Sequence, residues 1–408
     1  MTQTATALEL DSEQTTKLHA LYRRLHAHPE LSMQEHATAQ LIEEQLDGLG
    51  VEHFRCGGTG VVGILRNGEG PVVAFRADTD GLPIEEATGL EYASTDKGML
   101  DGAEVPVMHG CGHDTHVASL LGATEILAGN RDAWAGTLVL IFQPGEETAA
   151  GALAMLDDGL WDKAPRPEVV FGQHVMPRPV GTVSISSGPV AAMADSLRVT
   201  VHGQQSHGSQ PQDSIDPIVM AAHMVTRLQT IVSRELDPRK SAVVTVGTFH
   251  AGLKENIIPA SAEFTLNIRT FDDDVRGQVL GAVRRIIEAE AAASGAPTPQ
   301  IEEMYRFPQC FNDPDAVPYV LEALRGALGA ESVEVTPPMM GSEDFGHLGT
   351  AIGVPSVFWM FGGTPASAFD GPGAVPVNHS PFFAPELEGS LAGGVSAAVA
   401  VLLSRLGN

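Results

Sequence analysis

Four potential metal ligands of the Cys/His type fall within one short stretch, Met108-His109-Gly110-Cys111-Gly112-His113-Asp114-Thr115-His116. The glycines between them let the backbone bend, so that neighbouring side chains can converge. Thiolate and imidazole suit zinc and other borderline metals. A Cys-x-His pair alone is a weak signal, because most isolated cysteines and histidines are packing residues. A second feature is Glu146-Glu147, just past the apolar run Thr137–Phe142. Two adjacent carboxylates are costly to hold together unless a cation offsets their repulsion. One could then ligate a metal while the other serves as general base toward a bound water. The same pair also suits a solvated helix N-terminus. Asp78 and Asp80 follow the apolar run Val72–Phe75, and a turn with local side-chain hydrogen bonds explains them equally well. His174, and His379 within Asn378-His379-Ser380-Pro381, read singly as core or turn histidines.

Together these residues say more than each does alone. Cys111, His113, Glu147, His174 and His379 are five ligand-type groups, most of them in loops after strands. Five protein groups and a bridging water suffice for two divalent cations about 3.5 Å apart. Glu146 is then the candidate base, and Asp80 a carboxylate behind the site that orients a ligand imidazole. One thiolate among imidazoles and carboxylates points first to zinc and also admits manganese, cobalt or nickel.

The elements that must position these residues follow from hydrophobic periodicity. Residues 12–49 have helical spacing, broken at His28-Pro29-Glu30, where proline disfavours helix at the residue before it. Strands are predicted at 60–65, 72–75, 137–142, 169–172 and 356–359, with helices over 116–127 and 387–406. Strands alternating with helices imply an α/β fold, its sheet covered on both faces. In such sheets the residues just past the carboxyl ends of strands form the site. The middle differs: strands at 196–203, 242–250 and 262–269 alternate with helices at 217–233 and 275–293. This resembles a β-α-β-β-α-β set inserted into the larger fold. The expected division is 1–189 and 306–408 for the main part and 190–305 for the insert.

The chain has 408 residues, long enough for two domains, and is 43% hydrophobic. Its formal charge of −27, from 51 acidic and 24 basic residues, argues against nucleic acid and anionic membrane partners. The longest acidic run, Asp272-Asp273-Asp274, suits a helix N-terminus. Cys56, Cys111 and Cys310 cannot all pair within one chain, so a disulfide framework is not expected. The polar stretch Met1–Ser12 lacks the features of a signal peptide, and no apolar run long enough to span a membrane is expected. A cytoplasmic location follows as the default.

Several segments together resemble the M20 metallopeptidases, in particular their amidohydrolase branch of hippurate hydrolases, N-acyl-amino-acid amidohydrolases and indole-acetyl-amino-acid hydrolases. They are Arg76–Ile84, His109–Asp114, Phe142–Glu147, Gly172–Pro177, Ser206–Pro211, Asn256–Pro259, Gly341–Phe345 and Asn378–Pro381, in family order and across nearly the whole chain. The resemblance implies a mixed sheet flanked by helices, with the insert as a ferredoxin-like α+β lid. It implies two metal ions held by Cys111, His113, Glu147, His174 and His379, with Glu146 as base and Asp80 behind the site. The implied substrate is an N-acyl amino acid, such as an N-acetyl or N-benzoyl compound. His207, Asn256 and Arg269 resemble the groups that bind the substrate carboxylate or developing oxyanion. A homodimer through the insert, or a dimer of dimers, is implied as well. Without the resemblance, His207 fits an exposed polar loop, Asn256 a turn, and Arg269 an ion pair with Asp272, Asp273 or Asp274. Thr79 stands where methionine is common, and Gly110 and Gly145 where alanine is common, which bears on fine substrate preference.

Two rival readings remain at this stage. Asp78-Thr79-Asp80-Gly81 after a strand has the nucleophile pattern of haloacid-dehalogenase-type phosphatases, with Asp157-Asp158 as a companion acidic pair. That pattern breaks at Leu82 and leaves the Cys, His and Glu clusters unexplained. The other rival is a non-catalytic metal-binding or ligand-binding relative, which could have discarded Glu146. The sequence has no HExxH zinc motif, no GxSxG elbow and no phosphate-binding glycine loop.

Overall fold

The computed structural model describes residues 8–371 and 373–407; residues 1–7 of the polar N-terminal stretch lie outside them. The chain divides into two compact units. One comprises Met1–Val190, Cys310–Pro338 and Asp344–Asn408; the other comprises Ala191–Gln309 and Met339–Glu343. The smaller unit thus runs past residue 305 to Gln309 and gains a short returning segment.

The larger unit is built on an eight-stranded mixed sheet. In spatial order its strands are Glu52–Cys56, Gly60–Asn67, Gly136–Gln143, Val72–Asp78, Val169–Pro179, Ser356–Thr364, Val183–Ile185 and Val333–Val335. The middle of the sheet is parallel: Val72–Asp78 pairs in parallel with both Gly136–Gln143 and Val169–Pro179, and the latter pairs in parallel with Ser356–Thr364. These strands are apolar almost throughout, as strands covered on both faces must be. Helix His113–Gly129 is buried nearly all round, and Leu387–Leu406 packs against it and against Val317–Leu328. The helical pattern over 12–49 resolves into Ser12–Ala27 and His36–Gly48, separated by the predicted break. The first of these is closed by a capping box between Asp11 and Gln14.

Two expectations need correcting. The strand expected to end before His174 continues to Pro179, so His174 lies inside it. Its pairing with Val72–Asp78 stops at Gly172, however, while pairing with Ser356–Thr364 goes on. His174 therefore still sits where the sheet opens. In addition, among the described residues one helix, Leu387–Leu406, is long and apolar enough to cross a membrane. Leu391, Val395, Val399, Leu402 and Leu406 on that helix are buried in the core, which accounts for its composition.

The smaller unit carries a four-stranded antiparallel sheet in the order Ala242–Ala251, Ser261–Thr270, Met193–His202, Gln300–Phe307. With helices Pro217–Leu228 and Asp273–Ala293, this gives the ferredoxin-like β-α-β-β-α-β arrangement. Asp272 caps the second helix, accepting from the Asp274 and Val275 N–H groups.

Candidate metal centre

Carboxyl ends of adjacent strands bring the candidate residues together within the larger unit. Val72–Asp78 delivers Asp78 and, just beyond it, Asp80; Gly136–Gln143 leads into Glu146 and Glu147; Val169–Pro179 carries His174. Cys111 and His113 flank Gly112, which precedes helix His113–Gly129 at φ +87°. A Cβ on Gly112 would come within 2.4 Å of Val175 Cγ1. Only glycine allows both that backbone conformation and that approach. His379 arrives from the C-terminal loop, itself at φ +68°. Its N–H donates to the Gly110 carbonyl at 2.8 Å, and the Asn378 amide donates to the Cys111 carbonyl at 3.1 Å. A non-glycine residue held at positive φ is typical of functional sites.

The ligand-type atoms of Cys111, Glu147 and His379 all lie within 4.8 Å of one another, as do those of His113, Glu146 and Glu147. Cys111 Sγ is 3.4 Å from His174 Nε2. Glu147 Oε1 is 3.2 Å from His379 Nε2 and 3.9 Å from His113 Nε2. The imidazoles of His113 and His174 are each tied at Nδ1, which leaves Nε2 toward the cluster. His113 Nδ1 faces Asp80 Oδ1 at 3.1 Å, and His174 Nδ1 faces the Val175 carbonyl at 2.7 Å. His113 Nε2 and Glu147 Oε1 are buried without a hydrogen-bond partner. Buried polar atoms left without a hydrogen bond, beside imidazoles whose Nδ1 is oriented by a carboxylate or carbonyl, suit metal ligation. The donor set therefore fits divalent cations.

The electrostatics agree. Burial pushes the Cys111 thiol well above its usual range, and Glu147, Glu146 and Asp78 push it further. Burial opposes charge on His113, but Asp78, Asp80 and Glu147 outweigh it and raise the imidazole to about 10. Burial, and His116 next, hold His174 well below the ordinary histidine value. Asp78, Asp80 and Glu147 crowd negative charge around the cluster, which a bound cation would offset.

Some of the residues that shape the site were not picked out as such from sequence. His116 Nδ1 bonds Asp78, and His116 Nε2 accepts the Val175 N–H at 2.7 Å. His116, counted among the possible ligands by type, thus fixes the backbone beside His174. Buried Arg76 donates to Asp78 at 2.6 Å, to Asp344 at 3.0 Å and to the Gln143 side-chain oxygen Oε1 at 3.0 Å. A charged residue inside an apolar strand was the available signal for it. Asp78 is fully buried and engaged by Arg76 and His116, so it cannot serve as a phosphatase nucleophile. Asp158 pairs with Lys163 on the surface.

His207, Asn256 and Arg269 belong to the smaller unit. His207 Nδ1 is bonded by Ser209, and the Asn256 carbonyl accepts the Gly208 N–H. Arg269 donates to Asn267 Oδ1 at 2.9 Å and to the Met340 carbonyl at 2.5 Å. It does not pair with the Asp272–Asp274 run; Lys240 bonds Asp272 instead.

Histidine, cysteine and carboxylate groups converging past the strand ends of a mixed sheet define a metallohydrolase. Residues 74–404 match peptidase family M20/M25/M40. The chain is 38% identical over 331 residues to thermostable carboxypeptidase 1 of Saccharolobus solfataricus, covering 79% of this chain and 80% of that one. It is 37% identical over 329 residues to hippurate hydrolase of Campylobacter jejuni subsp. jejuni, covering 79% and 82%. It also superimposes on the Bacillus subtilis YXEP protein, described as a dinuclear metal binding peptidase of the M20 family. That match has a TM-score of 0.77 at 31% identity, over 97% of this chain and 100% of that one. The chain belongs to peptidase family M20/M25/M40 and is a metal-dependent amidohydrolase.

Proposed function

We propose that the protein hydrolyses the amide bond of N-acyl amino acids, of the N-acetyl or N-benzoyl type, with two divalent cations held by Cys111, His113, Glu147, His174 and His379. The observation that carries this reading is the convergence of those five groups: Cys111, Glu147 and His379 lie together, His174 is 3.4 Å from Cys111, and His113 Nε2 is 3.9 Å from Glu147 and buried without a hydrogen-bond partner. Relatives named for hippurate and N-acetylcysteine support the substrate class. When bound, the cations supply a polarised carbonyl and a water acidic enough to ionise near neutral pH. Glu146, nearly buried beside Glu147, takes a proton on its carboxylate from the attacking water and returns it to the departing nitrogen. Asp80 holds His113 by Nδ1 and keeps its ring oriented. By resemblance, Arg269, Asn256 and His207 recognise the substrate carboxylate or oxyanion, a task suited to the planar guanidinium.

Zinc is the expected metal, with manganese, cobalt or nickel admitted by the same donors. A reducing cytoplasm suits the three free, buried cysteines. A homodimer, or a dimer of dimers, forms through the smaller unit. Its strand Ala242–Ala251 is a sheet edge with Val243 and Phe249 exposed. Sedimentation of the purified protein checks the assembly.

The decisive experiment is a panel of N-acetyl and N-benzoyl amino acids assayed with each divalent metal. Turnover lost on chelation and restored by one of the metals is the expected result. Cleavage of unblocked peptides alone, with every N-acyl amino acid untouched, would move the protein to a peptidase role.

A further inference from the structure

Glu35 is an acidic side chain with no exposure to solvent, and its position in the chain does not explain why an acid stands there. It occupies the N-cap of helix His36–Gly48 yet makes no capping bond. Glu30 serves that helix instead, accepting the Ala37 N–H at 3.1 Å and the Thr38 N–H at 2.8 Å. The Glu35 carboxylate is turned elsewhere. Oε1 accepts the Gly145 N–H at 2.8 Å and the Met33 N–H at 2.9 Å, and Oε2 accepts the Thr59 hydroxyl at 2.5 Å. Gly145 immediately precedes Glu146 and Glu147. It stands at φ +57°, and a Cβ there would come within 2.5 Å of Met33 Sδ. Met33 is itself at φ +63°. Two facing residues in the left-handed region, joined through one buried carboxylate, make a tightly specified contact.

The same short turn holds a second strand end. Ser32 Oγ donates to Asp80 Oδ2 at 2.6 Å, and the Gly81 N–H donates to the Glu30 carbonyl at 2.7 Å. Asp80 Oδ2 in turn accepts the Glu147 N–H at 3.1 Å. Residues 30–35 therefore brace both the Asp80 loop and the Glu146-Glu147 loop, and they lie before the region matched to the family, which begins at residue 74.

We propose that Glu35 is a positioning residue for the reaction: through the Gly145 N–H it fixes the turn that aims the Glu146 carboxylate. This rests on the reading of Glu146 as the base. A residue that only anchors the N-terminal segment would change the melting temperature and leave turnover intact. A positioning residue lowers kcat with little change in KM, because the misplaced group acts in the transition state.

The test uses metal-loaded enzyme and the best N-acyl amino acid substrate, assayed well below the melting temperature. Glu35→Ala is expected to lower kcat about 10- to 100-fold with KM within about twofold. Glu35→Gln is expected to restore most of kcat, since its amide oxygen still accepts the two N–H groups and its NH2 can donate to Thr59. Glu35→Ala in a Glu146→Gln background is expected to add little further loss. Wild-type kcat in Glu35→Ala, or its full effect persisting without Glu146, overturns the proposal. Should Glu35→Ala fail to fold, Glu35→Asp carries the test, because it withdraws the carboxylate by one methylene; unchanged kcat there also overturns it. A fully active Glu146→Gln, by contrast, would show that the assignment of the base is what failed.

Discussion

Cys111, His113 and Glu147 crowd into one pocket because each has a neighbour that holds it there. Asp80 shows this best: one oxygen orients His113, and the other takes the Ser32 hydroxyl and the Glu147 N–H. Replacing Glu146 with Gln keeps the shape of the pocket and removes the proton acceptor. Metal content should stay constant while kcat falls by roughly 10² or more; full turnover with metal bound would exclude the role. Cys111→Ala should weaken metal affinity, read by titration against a competing chelator, while unchanged affinity and stoichiometry would argue against ligation. His26 gives a pH effect away from the metal cluster. Burial opposes its charge, but Asp114 at 2.6 Å and Glu86 at 3.1 Å outweigh it and lift the imidazole to about 10. The folded value lies above the unfolded one, so the stabilisation is complete below about pH 6.5 and is lost as pH rises toward about 10. The loss should be on the order of a few kcal/mol in urea unfolding, and His26→Gln should flatten it. At this scale the sequence was informative wherever chemistry needs a rare residue type. Glu35 and Ser32 escaped notice because Glu and Ser are ordinary in polar turns; only their tertiary partners set them apart.

The elements divide in the same way. The parallel strands at 72–78, 136–143 and 169–179 were legible because burial on both faces demands an unbroken apolar run. Val183–Ile185 and Val333–Val335 are three residues each, too short for any periodicity to register. Gln300–Phe307 is mostly exposed and carries Glu302 and Glu303, so it reads as loop until its pairing with Met193–His202 is seen. The strand through His174 outran its expected end because Pro177 and Pro179 lie past the stretch bonded on both sides, where a missing N–H matters little. Arg76 makes the clearest element-level case. It lies within the strand Val72–Asp78 and joins Asp78 to Asp344, whose carboxyl burial raises to about 6. Arg76→Met would leave both acids buried without their cation. A loss of about 3–5 kcal/mol in denaturant unfolding is expected, and a loss below about 1 kcal/mol would show that the network contributes little.

For the molecule as a whole, 51 acidic residues against 24 basic ones give a charge of −27, part of it gathered in the metal pocket. Bound cations should therefore stabilise the fold as well as activate water. At free metal about 100-fold above Kd, the melting curve should shift upward by the equivalent of about 2.7 kcal/mol, and chelation should reverse the shift. A melting temperature indifferent to chelator would contradict the metal assignment. The position of His379 also has a consequence for how the protein is made. Cys111, His113, Glu147 and His174 all leave the ribosome before the smaller unit is begun, whereas strand Ser356–Thr364 and His379 follow after it is finished. Domains fold as units as they emerge, so the smaller unit can complete itself before the last of the proposed metal-binding groups is made. On the proposed ligand set, a metal could be held by at most four of its five groups until the C-terminal segment has been made.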